Sequence, residues 1–300
     1  MVNRKAGAGR GAKTLARAEA GLVAAGLEVT RVTRPDELHD CVTGAADQLR
    51  AVVAAGGDGT VGLALNQTPA GTPLAVMPAG TENLLAKYLE QRARPAELVE
   101  LLTTGVVIRL DAGEANGRLF ALMISAGLDA FVVHQLHKSR RGNITHLAYA
   151  KPTIDALRIY NYPSLRTTWH DPESRQEASA TGRWLFGMNL PRYAQGLPIA
   201  PGASGIDGLI DLCVFSRGYI SSAVWYLWHM LRRRHQRLPS VTMARCQEFA
   251  VEADPGVEAP YQLDGDPGGF LPVTVRSIPG RLTCVVKPSV ATRLGFDLPD

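Results

Sequence analysis

The sequence predicts two domains, an N-terminal α/β domain and a C-terminal domain made mainly of antiparallel β strands. The chain has 300 residues, which allows two domains of moderate size. Up to about residue 105, apolar strand-like runs alternate with helix-like segments, whereas short strand-like runs separated by turn residues dominate afterwards. We therefore predict a first domain over residues 1–105 and a second over 106–287, with the tail 288–300 packing back on the first.

Alternating strands and helices make up the predicted first domain. The strands are predicted at Leu27–Val32, Ala51–Ala55 and Pro73–Met77. The helices are predicted at Lys13–Ala25, Leu38–Leu49, Thr60–Leu65, Glu82–Tyr88 and Ala96–Leu102. This alternation implies a mainly parallel sheet covered by helices on both faces. Because Met1–Asn3 leads straight into a glycine-rich turn, the first strand of the sheet is either unusually short or truncated.

Short strands interrupted by three helices make up the predicted second domain. The strands are predicted at Val106–Leu110, Leu119–Ser125, Leu165–His170, Arg183–Met188, Leu209–Phe215, Glu248–Val251, Tyr261–Leu263, Val273–Ser277 and Leu282–Val286. The helices are predicted at Ala130–Lys138, His146–Tyr160 and Ser221–Arg234. Gly, Pro, Asp and Asn separate many of the strands, which indicates an antiparallel arrangement joined by turns.

Composition and cysteine usage exclude several classes of protein. The formal net charge of +4 is too mild to indicate a nucleic-acid-binding protein. No apolar run reaches the roughly 20 residues that a membrane-spanning helix needs, and residues 1–20 lack the apolar core of a signal peptide. The four cysteines are widely spaced without a metal-binding pattern, which favours reduced thiols in a cytosolic protein.

The sharpest chemical feature is the glycine-rich segment Gly56–Thr60, which follows one predicted strand and precedes a helix. Glycines at such a turn let the backbone approach a ligand, and the free N–H groups of the helix N-terminus favour a phosphate. Asp58 could hold a metal or orient a hydroxyl group, or it could merely cap the helix. A second loop, Pro78–Asn83, ends the next strand, so both loops should share the ligand-binding edge of a parallel sheet.

Two better-known phosphate-binding patterns are matched imperfectly. Gly57–Gly62 fits G-x-G-x-x-G formally, but that dinucleotide fingerprint belongs after the first strand and is followed about 20 positions later by an acidic residue. Gly7–Thr14 nearly fits the P-loop, but Ala12 stands where the second glycine belongs. We interpret Gly7–Thr14 as a flexible basic turn that contacts phosphate.

Two acidic turns and one aromatic helix each leave alternatives open. Gly205–Asp211 and Gln262–Asp266 fit hairpin turns on spacing alone, yet Asp264 and Asp266 could also activate a hydroxyl group or bind Mg²⁺. Ser221–Arg237 combines tryptophans with a cluster of arginines. It suits either a membrane interface or a core-packed helix with a solvated basic end.

Taken in order, these motifs resemble the diacylglycerol kinase catalytic-domain family, which includes bacterial lipid kinases and the sphingosine and ceramide kinases. The two glycine loops carry most of the resemblance, and the match spans nearly the whole chain. Further segments that resemble the family are Asn3–Gly7, Ser125–Ala130, Pro191–Phe215 and Leu263–Asp266. The resemblance implies an NAD-kinase-like α/β domain and a β-sandwich-like domain, with ATP bound in the cleft between them.

The resemblance also implies roles for individual residues. Those expected to bind the nucleotide are Asn3, Thr33, Gly56, Gly57, Asp58, Gly59, Thr60, Gly80, Thr81 and Asn83. Asp266 would be the general base that deprotonates the lipid hydroxyl, and Asp58 would help hold Mg²⁺ and the γ-phosphate. Asp207, with the backbone carbonyls of Ser204 and Leu209, would form a second Mg²⁺ site, and Asp111 and Asp129 would lie near the lipid headgroup.

Several residues depart from the family pattern. Gly62 and Leu63 replace an Asn-Glu pair that contacts the nucleotide, Leu84 replaces a common Asp, and Asp266 replaces a Glu. We expect an ATP-dependent lipid kinase that is cytoplasmic, contacts an anionic membrane peripherally and is compatible with a homodimer. The alternatives are a catalytically weak or inactive nucleotide- or lipid-binding homologue and a soluble NAD-kinase-like enzyme.

Overall fold

The computed structural model describes residues 10–45, 48–139 and 158–297. The predicted nucleotide contact at Asn3 and most of the helix predicted at His146–Tyr160 lie outside these residues. The turn predicted at Gly7–Thr14 is wrong from residue 10 onwards, because residues 10–14 form the start of a helix. Two compact units are present: one takes the described residues up to Leu110 and from Gly280 onwards, and the other takes those between Asp111 and Pro279. None of the helices in the described residues is long and apolar enough to cross a membrane.

The helices and strands follow one another in two sets. The helices are α1 (Arg10–Ala24), α2 (Pro35–Gly44), α3 (Asp58–Gln67), α4 (Leu84–Tyr88), α5 (Pro95–Thr104), α6 (Leu128–Ser139), α7 (Ile220–Leu231) and α8 (Pro288–Arg293). The strands are β1 (Val52–Gly56), β2 (Leu74–Pro78), β3 (Val106–Ala115), β4 (Arg118–Phe120), β5 (Met123–Gly127), β6 (Leu165–His170), β7 (Glu177–Gly182), β8 (Trp184–Met188), β9 (Ile210–Phe215), β10 (Val241–Cys246), β11 (Glu248–Ala253), β12 (Pro260–Leu263), β13 (Asp266–Phe270) and β14 (Val273–Val286).

Parallel strands and helices build the first unit, as the sequence predicts. β1 pairs with β2 in parallel, from Val52 opposite Leu74 to Gly56 opposite Pro78, and β2 pairs with the end of β14 at Cys284. Both strands are almost wholly buried, and α1 packs against α5. Because the register brings Gly56 and Pro78 level, both strands end at the same edge and both glycine loops start there.

The strand predicted at Leu27–Val32 is wrong, because residues 27–33 form no strand. A strand exists by pairing its backbone with a neighbour, and no described strand pairs with this segment. The helix predicted at Leu38–Leu49 is also shorter than expected, since α2 begins at Pro35 and ends at Gly44. Proline suits the first turn of a helix, where no backbone hydrogen bond is lost.

Antiparallel sheets build the second unit. One is six-stranded in the order β10, β9, β8, β5, β12, β13, and all its neighbours are antiparallel. In the other, β6 lies between β7 and β11, and β11 pairs with the first part of β14. Fully buried side chains such as Phe120, Leu212 and Phe249 form its core. Helix α6 packs on β5, β12 and β13.

Several strand boundaries in this unit differ from prediction. The run Leu119–Ser125 contains two strands, β4 and β5, and the runs Val273–Ser277 and Leu282–Val286 belong to the single strand β14. Strands β7, β10 and β13 lack the apolar runs that prediction relies on, since β7 is half exposed and β13 has the sequence Asp-Pro-Gly-Gly-Phe. Their position is set by the neighbouring strand, which single-segment patterns do not contain.

Candidate functional site

The two glycine loops touch through their backbones. A side chain on Gly80 would place its Cβ atom 2.5 Å from the Cα of Gly57, and one on Gly56 would come within 2.1 Å of the Thr60 hydroxyl oxygen. The Ala79 N–H also donates to the Gly56 carbonyl oxygen at 2.9 Å. Only glycine allows this approach, so the loops form one continuous backbone surface at the ends of β1 and β2.

Asp58 joins the first loop to helix α4. Its two carboxylate oxygens accept the backbone N–H groups of Leu84 and Leu85, at 3.0 and 3.1 Å. Burial raises the pKa of this carboxyl, and the two hydrogen bonds partly oppose that rise by favouring the ionised form. Asp58 therefore caps α4 and not α3, the helix that it begins, and its predicted role toward a metal or a hydroxyl group stays a prediction.

Asn83 closes the second loop on itself. Its side-chain oxygen accepts the Gly80 N–H at 2.9 Å, and its side-chain nitrogen donates to the Gly80 carbonyl oxygen at 2.8 Å. Asn83 also has a φ of +50°, a left-handed conformation that asparagine tolerates better than most residues. The paired hydrogen bonds fix the shape of the loop without using any group of a ligand.

The first turn of α3 is the part of these loops best suited to an anion. The first N–H groups of an α-helix have no acceptor within the helix, and they carry the positive end of its dipole. Of the predicted nucleotide contacts, Thr81 is exposed, Thr33 is partly buried, and the Thr60 side chain is buried beneath Gly56. A ligand at this turn would therefore meet mainly backbone atoms, as phosphate-binding glycine loops do.

In the second unit, Asp266 lies on β13 with its carboxylate partly open to solvent. Its side chain is 33% exposed, and Oδ2 lies 3.9 Å from Nη2 of Arg118. The same guanidinium donates to the Pro267 carbonyl oxygen at 2.8 Å, which fixes the arginine beside the carboxylate. The carboxylate therefore stays accessible from solvent, as a group that accepts a proton from a substrate has to be.

Asp264, two residues earlier, is committed to the fold. Its oxygens accept three backbone N–H groups, from Ala121 at 2.7 Å, Leu122 at 2.8 Å and Met123 at 2.9 Å. These contacts hold the chain where β4 ends and β5 begins. The alternative that Asp264 and Asp266 act as a pair is therefore not favoured, because the Asp264 carboxylate is already bound to three backbone N–H groups.

Replacing Asp264 by Asn is expected to lower the free energy of unfolding by about 2 kcal/mol, because the amide loses the charge and at least one acceptor for buried N–H groups. Urea unfolding measures this change. The exposed Asp254, replaced by Asn in the same unit, is the matched control and should unfold as the wild type does. If the two variants were equally stable, the hydrogen bonds of the Asp264 carboxylate would not stabilise the fold.

Asp129, at the start of α6, lies in a cluster of hydrogen-bond donors. Its carboxylate accepts from the Ser125 hydroxyl at 2.5 Å, from the Tyr193 hydroxyl at 3.1 Å and from the Gln262 side chain at 3.1 Å. Burial raises the pKa of Asp129, and these three donors oppose the rise. Sequence reasoning singled out Asp129, and Tyr193 and Gln262 lie in segments that it also quoted, but it did not connect either residue with Asp129.

Asp111 is buried, with 3% of its surface exposed, and its Oδ2 accepts the Gly208 N–H at 2.7 Å. Its own N–H donates to the Gly205 carbonyl oxygen at 2.7 Å. The structure therefore places Asp111 as a brace for the turn at 205–208. Its predicted contact with a lipid headgroup stays a prediction that this burial does not favour.

At the predicted second Mg²⁺ site, both carboxylate oxygens of Asp207 already have partners within the protein, and the site stays a prediction. Oδ1 of Asp207 accepts the Leu209 N–H at 3.0 Å, and Oδ2 pairs with the Arg245 guanidinium. Arg245 also lies 3.8 Å from Asp211, so one guanidinium serves both carboxylates. No group of three metal-ligating acidic, histidine or cysteine side chains occurs in the described ranges. A divalent cation here would have to displace the arginine.

Replacing Arg245 by Gln is expected to make the stability of the protein depend on Mg²⁺, because the carboxylates of Asp207 and Asp211 then lose the positive charge that they share. Added MgCl₂ should raise the melting temperature of this variant by about 2–4 °C and leave the wild type unchanged. The control is Arg276→Gln, which removes a surface ion pair with Glu114 in the same unit. An equal rise in the wild type would show that Asp207 binds Mg²⁺ despite Arg245.

Comparison with known proteins identifies family models that match this chain. Residues 1–115 match the model of the diacylglycerol kinase catalytic domain, and residues 122–286 match the YegS C-terminal NAD kinase beta sandwich-like domain. A diacylglycerol kinase of Mycobacterium tuberculosis is 26% identical over 299 residues, covering 96% of this chain and 94% of that protein. A diacylglycerol kinase of Bacillus subtilis is 26% identical over 245 residues, covering 79% and 78%.

Solved structures support the same fold at lower identity. The crystal structure of a diacylglycerol kinase from Bacillus anthracis superposes with a TM-score of 0.70 at 19% identity, covering 96% of each chain. An NAD kinase from Archaeoglobus fulgidus in complex with ATP superposes with a TM-score of 0.54 at 14% identity, covering 93% and 92%. These likenesses confirm the predicted fold, with an NAD-kinase-like α/β domain followed by a β-sandwich-like domain.

Proposed function

The chain belongs to the diacylglycerol kinase catalytic-domain family, a family of phosphotransferases, and on that premise we propose that it is an ATP-dependent lipid kinase. The acceptor would be a hydroxyl group of a diacylglycerol-like or sphingoid lipid. Its oxygen forms a bond to the γ-phosphorus, and the bond from that phosphorus to the oxygen bridging it to the β-phosphate breaks. The hydroxyl proton passes to a carboxylate, and ADP leaves.

The observation that carries this proposal is the backbone contact between the two glycine loops at the ends of β1 and β2. Phosphoryl transfer demands positioned phosphates more than covalent help from the protein. Asp58 and Asn83 fix both loops before any ligand arrives, so the N–H groups of α3 need little reorganisation to meet a phosphate. Mg²⁺ would arrive as part of the substrate, in complex with ATP.

We assign the proton-accepting role to Asp266 because the other candidates in the described residues are engaged elsewhere. Asp111 and Asp264 hold backbone N–H groups, and Asp207 pairs with Arg245. Asp266 is partly open to solvent beside Arg118, and the resemblance to the family motif would make it the general base. Asp129, with its three donors, would instead orient the headgroup of the acceptor.

Gly62 and Leu63, which depart from the family pattern, would affect nucleotide binding rather than phosphoryl transfer. Both lie on α3, where Leu63 is 42% exposed and no atom would meet a Cβ on Gly62 within 4 Å. This side of the helix therefore offers open, apolar surface where the family has polar side chains. Nucleotide affinity would rest on the glycine loops, and a weakly active homologue is the second candidate function that this surface favours.

The test is transfer of radiolabelled phosphate from ATP to a panel of acceptors. The panel holds diacylglycerol, sphingosine, ceramide and, as the acceptor for an NAD-kinase-like activity, NAD. We expect the wild type and Asp254→Ala to label one lipid class, and Asp58→Ala and Asp266→Ala to label none. Equal activity of all four proteins would overturn the assignment of sites.

Two other results would overturn the proposed activity. Labelling of NAD alone would make the chain a soluble NAD-kinase-like enzyme. Tight ATP binding by calorimetry without transfer to any acceptor would make it a nucleotide-binding homologue that has lost turnover. Because binding and transfer are measured on the same preparation, a misfolded protein is recognised by the loss of both.

A further inference from the structure

Helix α7 in the second unit presents an apolar face that none of the residues described by the structure covers. One side of the helix is anchored, since Tyr226 and Met230 are buried and the Tyr226 hydroxyl donates to the Ser240 carbonyl oxygen at 3.2 Å. On the other side, Ile220, Val224, Leu227 and Leu231 follow a spacing of four, three and four residues, which places them in one line along the helix.

This line is exposed along its whole length. Val224 is 62% exposed and Leu231 is 66% exposed, and Trp225 and Trp228 flank the line with 45% each. The helix contains no charged Asp, Glu, Lys or Arg residue between Ile220 and Leu231. A contiguous exposed apolar patch of this kind marks a surface that binds another protein or a membrane.

Arginines lie directly beyond the C-terminal end of this face. Arg232, Arg233, Arg234 and Arg237 are all exposed, and within the described residues none of them forms an ion pair. Arg232 stacks on Trp228, with its guanidinium carbon 4.2 Å from the ring centroid. We call these four residues the arginine end of α7.

The surrounding sequence strengthens this charge. Between Asp211 and Glu248 the chain has six arginines and no acidic residue, whereas the whole chain has a net charge of only +4. The positive charge of the protein is therefore concentrated in the segment that carries the apolar face. This combination calls for a partner that is apolar in its interior and negatively charged at its surface.

We propose that α7 docks the protein on an anionic lipid bilayer, with its apolar face in the interfacial region and its arginine end on the lipid phosphates. Tryptophan rings prefer the headgroup level of a bilayer, and each arginine near an anionic surface adds attraction. A second copy of this chain fits less well, because a symmetric pairing along α7 would bring either arginine ends together or arginines onto apolar side chains. The surface is independent of which hydroxyl group accepts the phosphate.

The tryptophans provide a specific probe of this docking. The chain has four tryptophans, and the other two, Trp169 and Trp184, are buried with 7% and 6% exposure. A change in tryptophan fluorescence on adding vesicles therefore reports Trp225 and Trp228. We expect phosphatidylcholine vesicles that contain phosphatidylglycerol to shift the emission to shorter wavelength and to sediment the protein, and phosphatidylcholine alone to do so weakly.

Two double variants separate the contribution of the tryptophans from that of the arginine end of α7. Trp225→Ala with Trp228→Ala, and Arg232→Gln with Arg234→Gln, are each expected to weaken sedimentation with anionic vesicles about tenfold or more. The arginine variant should also lose most of the salt dependence. Arg92→Gln with Arg175→Gln, which removes two exposed arginines elsewhere, is the matched control and should bind as the wild type does. Trp225→Phe with Trp228→Phe should bind without the fluorescence shift.

Three outcomes would overturn the proposal. The wild type could stay in the supernatant with anionic vesicles, or the α7 variants could bind as tightly as the control. A wild-type dimer in light scattering that Trp225→Ala with Trp228→Ala dissociates would make the face a contact between copies. Transfer to a short-chain diacylglycerol in solution keeps this test separate from the proposed activity, because the α7 variants should phosphorylate it at the wild-type rate.

Discussion

Replacing Asp266 by Asn is expected to lower kcat for phosphoryl transfer by about 10²–10⁴-fold while the KM for ATP stays unchanged. Asparagine has nearly the same shape but cannot accept the proton of the attacking hydroxyl group. Within the described residues, the partly exposed side chain of Asp266 accepts no backbone N–H group of the kind that Asp264 accepts, so the fold should tolerate the change. Steady-state kinetics with varied ATP at a saturating concentration of the preferred lipid give both kcat and the KM for ATP.

Two further variants make this result specific to proton transfer. Asp266→Glu keeps the carboxylate and should retain activity well above that of Asp266→Asn. Asp254→Asn removes an exposed carboxylate of the same unit and should leave kcat unchanged. An unchanged kcat in Asp266→Asn would remove Asp266 as the base, and a raised KM for ATP with normal kcat would move it to the nucleotide.

The glycine loops could be predicted because their signal is local. A buried strand, a glycine turn and a helix follow one another within about a dozen residues, and Gly56–Thr60 and Pro78–Asn83 both show this order. The parallel pairing of β1 and β2 then follows from the helix between them. What the pattern does not contain is the closeness of the loops, since the 2.5 Å approach at Gly80 depends on the register of two strands.

The rest of the candidate site could not be predicted because its contacts join distant parts of the chain. Asp207 and Arg245 are 38 residues apart, Asp129 and Tyr193 are 64 apart, and Asp264 reaches back 143 residues to Ala121. The sequence does not distinguish an aspartate whose carboxylate binds backbone N–H groups from an aspartate whose carboxylate faces solvent. Burial and partners decide between the two, and both are products of tertiary packing.

The strand expected at Leu27–Val32 fails for a related reason. Its apolar residues fit a strand, but strand formation depends on a neighbour with free N–H and C=O groups. The same dependence explains β13, whose proline and glycines oppose a strand although it pairs with β12 from Pro260 to Leu263. A paired neighbour makes β13 a strand, and the lack of one among the described residues leaves 27–33 without strand structure, so pairing outweighs the local preference in both segments.

Replacing Gly80 by Ala is expected to lower kcat/KM for ATP about a hundredfold, because a displacement of about 1 Å in a positioning loop costs that much. The added methyl group would lie 2.5 Å from the Gly57 Cα, 3.1 Å from the Gly57 nitrogen and 3.0 Å from the Asn83 side-chain oxygen. Neither backbone can move away without breaking the Asn83 hydrogen bonds or the Asp58 bridge to α4. Calorimetric titration with ATP measures the loss of binding directly.

The first loop gives a graded comparison within this prediction. At Gly57 the nearest atom to an added Cβ is 3.1 Å away, so Gly57→Ala should cost less than Gly80→Ala. Gly44 is the matched control, because its Cβ would meet nothing within 4 Å and Gly44→Ala should bind ATP normally. If Gly80→Ala bound ATP as Gly44→Ala does, the nucleotide would not depend on the contact between the loops. The order Gly80, Gly57, Gly44 in lost affinity would instead show that the phosphates rest on that contact.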